Sequence, residues 1–192
     1  MTAGERSAKS QEVIQRVLNE LGHTACRTQL VKLVYFVDYI YFRHTGSTLT
    51  GLEYMWDDYG PNAISNAIVR EAGAMVEAGQ LKMTTRPTPY QDVFAFDYQT
   101  LPGSPNPALD VVAQAIIKDV VRKYGRYNVQ KIAAASKRTE PFKAAHPGDV
   151  LRFERSELAP SPTEPHPPTT AEPQGAGAGK STDELRRKFA LV

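Results

Sequence analysis

The chain has a single cysteine, Cys26, and it lacks a long uninterrupted apolar run. One cysteine excludes an internal disulfide and a zinc site built from cysteines. No signature of a base partner surrounds Cys26, so we interpret it as a small buried hydrophobe rather than a nucleophile. The most apolar stretch, residues 30–42, is interrupted by Lys32 and Asp38 and is too short and too polar to cross a bilayer.

An apolar signal-peptide core is also missing, because the first eleven residues are polar. We therefore expect no signal peptide, no membrane partner and a cytoplasmic location. The formal net charge is only +2. A charge this small does not by itself indicate nucleic-acid binding.

Signatures of catalysis and of metal binding are absent too. The histidines do not pair at helical ligand spacing, and no serine lies in a Gly-x-Ser-x-Gly elbow. Residues 175–181 superficially resemble a phosphate-binding loop, but proline-rich chain precedes them where a buried strand is required, so we interpret them as a flexible linker. Asp57 and Asp58 are neighbours, and neighbours on a strand point to opposite faces. We predict a protein that is not an enzyme, needs no cofactor and has no metal site.

What the sequence does contain is enough apolar material for one core, 41% of its residues, and a sharp change in composition near its C-terminal end. Six of the 14 prolines lie between Pro160 and Pro173, where almost nothing is apolar. Such a segment stays disordered because it buries too little apolar surface to offset the entropy of ordering. We predict an α+β fold: one mostly helical domain with a small antiparallel sheet over residues 10–156, and a disordered tail over residues 157–192.

Apolar periodicity and capping residues place the elements of this domain. Helices are predicted over residues 11–21 with Ser10 as cap, 29–43 with Thr28 as cap, from Pro61 to a stop at Gly79, from Asn106-Pro107 to Gly125, and from the cap Asn128 to Lys137. Strands are predicted over residues 52–56, 81–83 and 93–96, with a proline-rich turn at residues 87–89 and a closing strand over residues 150–153.

The helix at residues 29–43 is apolar on most of its circumference, so we expect it at the centre of the domain. Lys32, Tyr39 and Arg43 are assigned to its polar side. Asp38 lies between two apolar patches, and a buried carboxylate needs partners because an unpaired buried charge is costly. A structural hydrogen bond to a tyrosine hydroxyl or to a helix N-terminus is the favoured interpretation, and direct contact with a ligand is the other.

The segment Trp-Asp-Asp-Tyr-Gly-Pro at residues 56–61 combines aromatic rings, acids and residues that bend the backbone. Tryptophan and tyrosine are enriched at binding hot spots, so this segment is a candidate interaction edge. It is equally a candidate strand-to-helix corner with Trp56 in the core. The sequence leaves both interpretations open.

Residues 110–138 are predicted to form a helix, a glycine-containing turn and a second helix. Basic residues are scattered along them: Arg122, Lys123, Arg126, Lys131, Lys137 and Arg138. This pattern fits a DNA-binding helix-turn-helix with its second helix in a major groove. It also fits an ordinary helical hairpin with a solvated basic face, and the surface of residues 129–137 discriminates between the two.

Three stretches taken together resemble the Panacea-domain proteins, the SocA-like antitoxins. Residues 28–38 resemble the family's KLQKLLYFAD helix, and residues 51–61 resemble the strand and Tyr-Gly-Pro corner that follow it. Residues 123–142, from Lys123-Tyr124-Gly125 to Thr139-Glu140-Pro141-Phe142, resemble its YG…L…T…PW ending. Phe142 stands where tryptophan is common, and the tail is not part of the shared domain.

The resemblance implies an antitoxin that neutralises a cognate protein toxin by direct binding, with delivery to an ATP-dependent protease in some members. The runner-up is a DNA-binding regulator of the same operon. We place the residues that form or support the contact surface at Tyr35, Asp38, Trp56, Asp57 and Tyr59. The C-terminal end regains apolar residues on one face of a short helix. It is either a frayed terminus or a tethered recognition peptide, to which we assign Phe189 and Leu191.

Overall fold

The computed structural model describes residues 1–88 and 94–154. The helices there are α1 (Ala3–Leu21), α2 (Arg27–Thr45), α3 (Ala67–Glu77), α4 (Val111–Tyr124), α5 (Val129–Ser136) and α6 (Glu140–Ala144). The strands are β1 (Ala25–Cys26), β2 (Tyr54–Met55), β3 (Asn62–Ala63), β4 (Leu81–Pro87) and β5 (Phe94–Thr100). The predicted fold class, a mostly helical α+β domain with a small antiparallel sheet, is confirmed. The predicted tail with its short helix, the linker at residues 175–181 and the strand start at Val93 lie outside the described residues.

Helix α2 is the central element, as its apolar circumference predicts. It contacts α1, α3, α4 and α5 as well as the strands β1, β3 and β5. Its side chains from Leu30 to Val37 are all buried, and Phe36 stacks on Tyr124 of α4 with ring centroids 4.0 Å apart. Because every neighbouring element packs on α2, a displacement of this helix would disturb the whole core.

Three predicted helix starts are wrong, since other residues occupy the cap positions. Helix α2 begins at Arg27 after Cys26, so Thr28 lies inside the helix and is not its cap. Helix α1 begins at Ala3 because Thr2 and Glu5 form a capping box, in which the Glu5 amide donates to the Thr2 hydroxyl at 3.2 Å. Ser10 is therefore a buried residue inside the helix and not its cap.

Helix α4 begins at Val111, where the Asp110 carboxylate accepts from the Ala113 amide at 2.8 Å. The cap at Asn128 is confirmed for α5.

The predicted helix start at Pro61 is also wrong. Pro61 leads into β3, which pairs with β2 in antiparallel register, Tyr54 opposite Ala63. Helix α3 begins only at Ala67, after a short 3-10 turn at Ile64–Asn66. The predicted closing strand is reduced to an isolated bridge between Val150 and Met55. A proline is compatible with the first turn of a helix, but it does not require a helix to follow. Here the residues after Pro61 pair with β2 instead.

The larger sheet has the order β1-β5-β4, with antiparallel neighbours. Its hairpin of β4 and β5 is longer than predicted and pairs from Leu81 opposite Thr100 to Pro87 opposite Phe94. Pro87 therefore lies in the strand rather than in the predicted turn. Strand β5 is central in this sheet, and β4 lies at its edge.

Over residues 1–88 and 94–154, no helix is long and apolar enough to cross a membrane. Within the same ranges, no group of three or more His, Cys, Asp or Glu side chains is arranged to hold a metal ion. Cys26 is a free thiol with a partly buried side chain.

Candidate functional site

Helix α2 carries four buried polar side chains at every third position: Gln29, Lys32, Tyr35 and Asp38. We call these four residues the polar stripe. Each member forms a hydrogen bond with a different part of the chain beyond α2. The stripe therefore joins the central helix to the segments that surround it, because a buried polar group needs a partner wherever it is placed.

Asp38 anchors the segment that leads into β2. Its carboxylate accepts from the Tyr54 hydroxyl at 2.6 Å, from the Thr50 amide at 2.9 Å and from the Thr50 hydroxyl. The predicted structural hydrogen bond to a tyrosine hydroxyl is thereby confirmed. Burial raises the pKa of Asp38 to about 6, while the hydrogen bonds from Thr50 and Tyr54 act in the opposite direction.

Tyr35 anchors the junction between α5 and α6. Its hydroxyl lies 2.6 Å from the Thr139 hydroxyl, and burial raises the pKa of Tyr35 well above its usual range. Its ring packs edge-on against Tyr54 at 5.1 Å and Phe153 at 6.0 Å between centroids. Tyr35 and Asp38 are both fully buried. Neither side chain can therefore touch a partner directly.

Lys32 is buried, which corrects its assignment to the polar side of the helix. Its side chain runs inward and the ammonium donates to the Pro61 carbonyl at 2.7 Å. Burial lowers the pKa of Lys32 to about 8; the nearby Asp57 raises it and Lys137 lowers it further. The contact fixes the backbone just after residues 56–60, where a helix start was predicted.

Gln29 completes the stripe at the opposite end. Its amide donates to the Gly125 carbonyl at 2.7 Å and to the Tyr127 carbonyl at 3.4 Å. These are groups at the C-terminal end of α4, whose last carbonyls have no partner within the helix. The polar stripe thus ties residues 28–38 to both of the other stretches, 51–61 and 123–142, that carry the resemblance described above.

We call residues 56–61 the corner. Strand β2 ends before it, so Asp57 and Asp58 lie in a turn and not on the predicted strand. The Asp57 carboxylate accepts from the Tyr59 amide at 2.8 Å, and the Asp57 carbonyl accepts from the Gly60 amide at 2.8 Å. Asp57 therefore closes the turn that carries Tyr59.

Gly60 is where the corner meets α5. Its φ is +92°, and a Cβ atom added to it would lie 2.6 Å from the Ser136 hydroxyl oxygen and 3.4 Å from Lys32 Cε. Only glycine fits, both for the backbone angle and for the space. On one side the corner is thus held against α2 and α5, while on the other the Tyr59 side chain is 73% exposed.

Trp56 is neither fully exposed, as an interaction edge would require, nor fully buried in the core. It is half-buried, and its ring stacks on Phe142 of α6 with centroids 5.0 Å apart. Its amide donates to the Asp149 carbonyl at 2.8 Å. The structure thus places Trp56, Asp57 and Tyr59 at the corner, whereas Tyr35 and Asp38 are buried in the core. Phe189 and Leu191 lie outside the described residues.

Sequence reasoning missed Gln29, Lys32, Gly60 and Ser136 as residues that shape the site. The available signal was the spacing of polar residues at three-residue intervals on an otherwise apolar helix. Residues at that spacing wind around a helix, because three residues turn it by about 300° and not by a full turn, so they would be expected to face different partners.

The basic residues in and around α4 and α5 lie away from the polar stripe in sequence. All six of them, from Arg122 to Arg138, are exposed. Lys131 lies 4.1 Å from the centroid of the Tyr127 ring, and Arg122 pairs with Asp119 at 2.9 Å. Residues Ile132 and Ser136 on the opposite side of α5 are buried. The basic side chains of residues 122–138 are thus accessible to solvent.

The buried ammonium of Lys32 makes a pH-dependent contribution to stability. Its pKa is about 8 in the folded protein and about 10.4 when unfolded. The unfolded state therefore binds more protons between these values, and stability from this group rises with pH through that window by at most about 1.4 kcal/mol per pH unit. Below about pH 8, both states are protonated and the dependence vanishes.

We therefore expect the difference in unfolding free energy between the wild type and Lys32→Met to shift in favour of the wild type between about pH 8 and about pH 10. Urea unfolding at several pH values measures it. The comparison also controls for the titration of the tyrosines, because both proteins contain the same tyrosines and their effect cancels in the difference. A difference independent of pH would show that Lys32 is not buried as an ammonium.

One comparison with known proteins gives a match. The family model for "Antitoxin SocA-like, Panacea domain" matches residues 30–143. These residues run from the polar stripe through the corner to α6, so the match includes Lys32, the corner and Phe142. No curated protein and no solved structure matches the chain.

Proposed function

The chain belongs to the family of SocA-like antitoxins with a Panacea domain, and on this basis we propose that it neutralises a cognate protein toxin in the cytoplasm by direct, non-enzymatic binding. We infer that the corner is the part of the domain that touches the toxin. In this role the protein needs neither a catalytic group nor a cofactor, because occlusion of the toxin's surface is enough to block it.

The observation that supports the corner most strongly is the exposure of Tyr59 on a turn that is otherwise fixed. Tyr59 is 73% exposed, whereas Gly60 is packed against α5 and the Pro61 carbonyl accepts a hydrogen bond from Lys32. A large aromatic side chain on a rigid backbone loses little entropy on binding, and tyrosine is enriched at binding hot spots. Tyr59 is therefore the proposed anchor.

The neighbours of Tyr59 indicate what the partner surface offers. Asp58 is exposed and Trp56 is half-buried. An aromatic anchor flanked by an acid fits a pocket with an apolar floor and a basic rim. Asp57 contributes by closing the turn, and Tyr35 and Asp38 contribute by holding Tyr54 of β2, the strand that leads into the corner.

Substitution of Tyr59 by alanine is expected to weaken the complex about 30-fold, because hot-spot tyrosines are worth about 2 kcal/mol or more. Rescue of growth during co-expression with the toxin encoded beside this gene should be lost, and co-purification measures the complex itself. Circular dichroism should be unchanged, since the ring packs on little of the domain.

The matched control is Val111→Ala. Val111 is 82% exposed and follows Asp110, which accepts from Tyr41 near the far end of α2. This variant should rescue growth as well as the wild type. If Tyr59→Ala rescued growth as well as the wild type, the corner would not be the toxin-binding surface. If the wild type formed no complex with the toxin, the direct-binding model would be wrong.

Two finer functions extend this proposal, one from the resemblance and one from the basic residues. Delivery of the bound toxin to an ATP-dependent protease would involve the tail with Phe189 and Leu191, which lies beyond the described part of the chain. DNA-binding regulation of its own operon is a second candidate function, favoured by the exposure of all six basic side chains on residues 122–138. Salt-dependent binding to that operon's DNA would identify it.

A further inference from the structure

Strand β4 lies at the edge of the three-stranded sheet, paired only with β5 among the described strands. Leu81 at its start is buried, and every residue from Lys82 to Pro87 is exposed. Within residues 1–88 and 94–154, no backbone hydrogen bond reaches the outer side of this strand. An open edge of this length offers a row of N–H and C=O groups to a further strand.

One face of the hairpin is apolar well beyond the point where the helices cover it. Residues directly opposite each other in the ladder share a face, which places Leu81, Met83, Tyr98, Phe96 and Phe94 on the same side. Leu81 and Tyr98 are buried, whereas Met83 is 39% and Phe94 57% exposed. The core-facing side of the sheet thus continues as an uncovered apolar strip.

The opposite face of β4 is basic. It carries Lys82 and Arg86, and β4 has no acidic residue. Arg86 pairs with Asp97 on β5 at 2.8 Å, while Lys82 forms no ion pair with any residue that the structure describes. Two copies of β4 paired antiparallel about Thr84 would set Lys82 opposite Arg86, and like charges directly opposite are destabilising. The charges therefore favour an acidic partner over a second copy of this chain.

We propose that β4 is a second docking surface, which adds an extended segment of the toxin to the sheet. That segment would be acidic on the face beside Lys82 and apolar on the face beside Met83. Main-chain hydrogen bonds would supply affinity and the alternating side chains would supply specificity. This inference rests on the proposed antitoxin function, and it gives the toxin two contacts, the corner and the edge of β4.

Proline substitutions at Thr84 and Thr85 test the edge. On an antiparallel strand, successive residues direct their backbone groups to opposite sides. One of the two prolines therefore removes an outward N–H and spares the hairpin, and the other breaks the ladder with β5. Circular dichroism identifies the variant that stays folded, and Thr84→Ala and Thr85→Ala are its controls.

The folded proline variant is expected to bind the toxin encoded beside this gene about ten-fold more weakly than its alanine control, corresponding to one to two lost hydrogen bonds. In the wild type, hydrogen exchange of the outward amides of β4 should slow at least about ten-fold on complex formation. Charge reversal in Lys82→Glu should slow association and reduce its salt dependence.

The outcomes separate the two proposals. If Tyr59→Ala weakens the complex while the proline variant binds normally and the β4 amides exchange as in the free protein, the edge is not used and the antitoxin function stands. If the wild type forms no complex, both proposals fail. If both prolines unfold the domain, the exchange measurement decides alone. If the wild type formed a dimer and the folded proline variant did not, the edge of β4 would bind a second copy of this chain, and the inference would be overturned.

Discussion

Replacement of Asp38 by alanine is expected to lower the free energy of unfolding by about 3–4 kcal/mol, because it leaves several buried donors without an acceptor. The carboxylate accepts from the Tyr54 hydroxyl and from two groups of Thr50. All three residues are almost completely buried, so water cannot replace the lost bonds. Urea or thermal unfolding measures the effect, and growth rescue should fall with it, since β2 leads directly into the corner.

Asp38→Asn is the matched variant, because it keeps the shape and has no charge. The raised pKa of about 6 lies above the unfolded value of about 3.9. The group's contribution to stability is therefore fully present below about pH 3.9 and is lost as the pH rises through about 6. The advantage of the wild type over Asp38→Asn should thus shrink between about pH 4 and about pH 7.

Two results would contradict this account of Asp38. One is an alanine variant whose stability is within about 0.5 kcal/mol of the wild type, as expected for an exposed position. The other is a difference from Asp38→Asn that grows with pH, which would mean that the hydrogen bonds outweigh burial and that the carboxylate is stabilised in its charged form.

Replacement of Gly60 by alanine is the second change with a large expected effect, about 3 kcal/mol of stability. A positive φ of +92° costs an alanine roughly 1–2 kcal/mol, and the remainder comes from its Cβ, which would lie 2.6 Å from the Ser136 hydroxyl oxygen. The corner has to move away from α5, so affinity for the toxin should fall even where the variant is folded. Unfolding curves and a binding titration measure the two effects separately.

Gly22→Ala separates backbone strain from the steric clash. Gly22 also has a positive φ of +67°, but nothing lies within 4 Å of a Cβ placed there. This control should lose only about 1 kcal/mol and should bind normally. Adding Ser136→Ala to Gly60→Ala should restore part of the lost stability, since the two side chains share one space. Equal losses at Gly60 and Gly22, with no rescue, would contradict tight packing of the corner.

The fold could be predicted where local pattern and tertiary packing agree. Helix α2 is apolar almost all round, and it is central for that reason. Asn128 caps α5 as predicted, because a cap depends on residues close in sequence. The start of α1 was missed since the capping box at Thr2 and Glu5 extends the helix into a polar segment that has no apolar stripe to reveal it.

The candidate site was harder to predict, because its contacts join residues far apart in sequence. Lys32 resembles an exposed helix residue, and only the carbonyl of Pro61 explains its burial. Pro61 in turn leads into a strand because β2 is available to pair with β3. Asp38 is the exception: an acid on an apolar helix already requires partners, and a tyrosine hydroxyl is one of the few that a core can offer.

The most direct test of the central claim, that the corner touches the toxin, is photo-crosslinking from position 59. A photoreactive phenylalanine derivative replaces Tyr59 in one chain and Val111 in the control, and each is mixed with the toxin encoded beside this gene. Both side chains are exposed in the free protein, so both are free to react with a bound partner. We expect a covalent adduct with the toxin from position 59 and none from position 111. A complex that yields an adduct from position 111 and none from position 59 would contradict the claim.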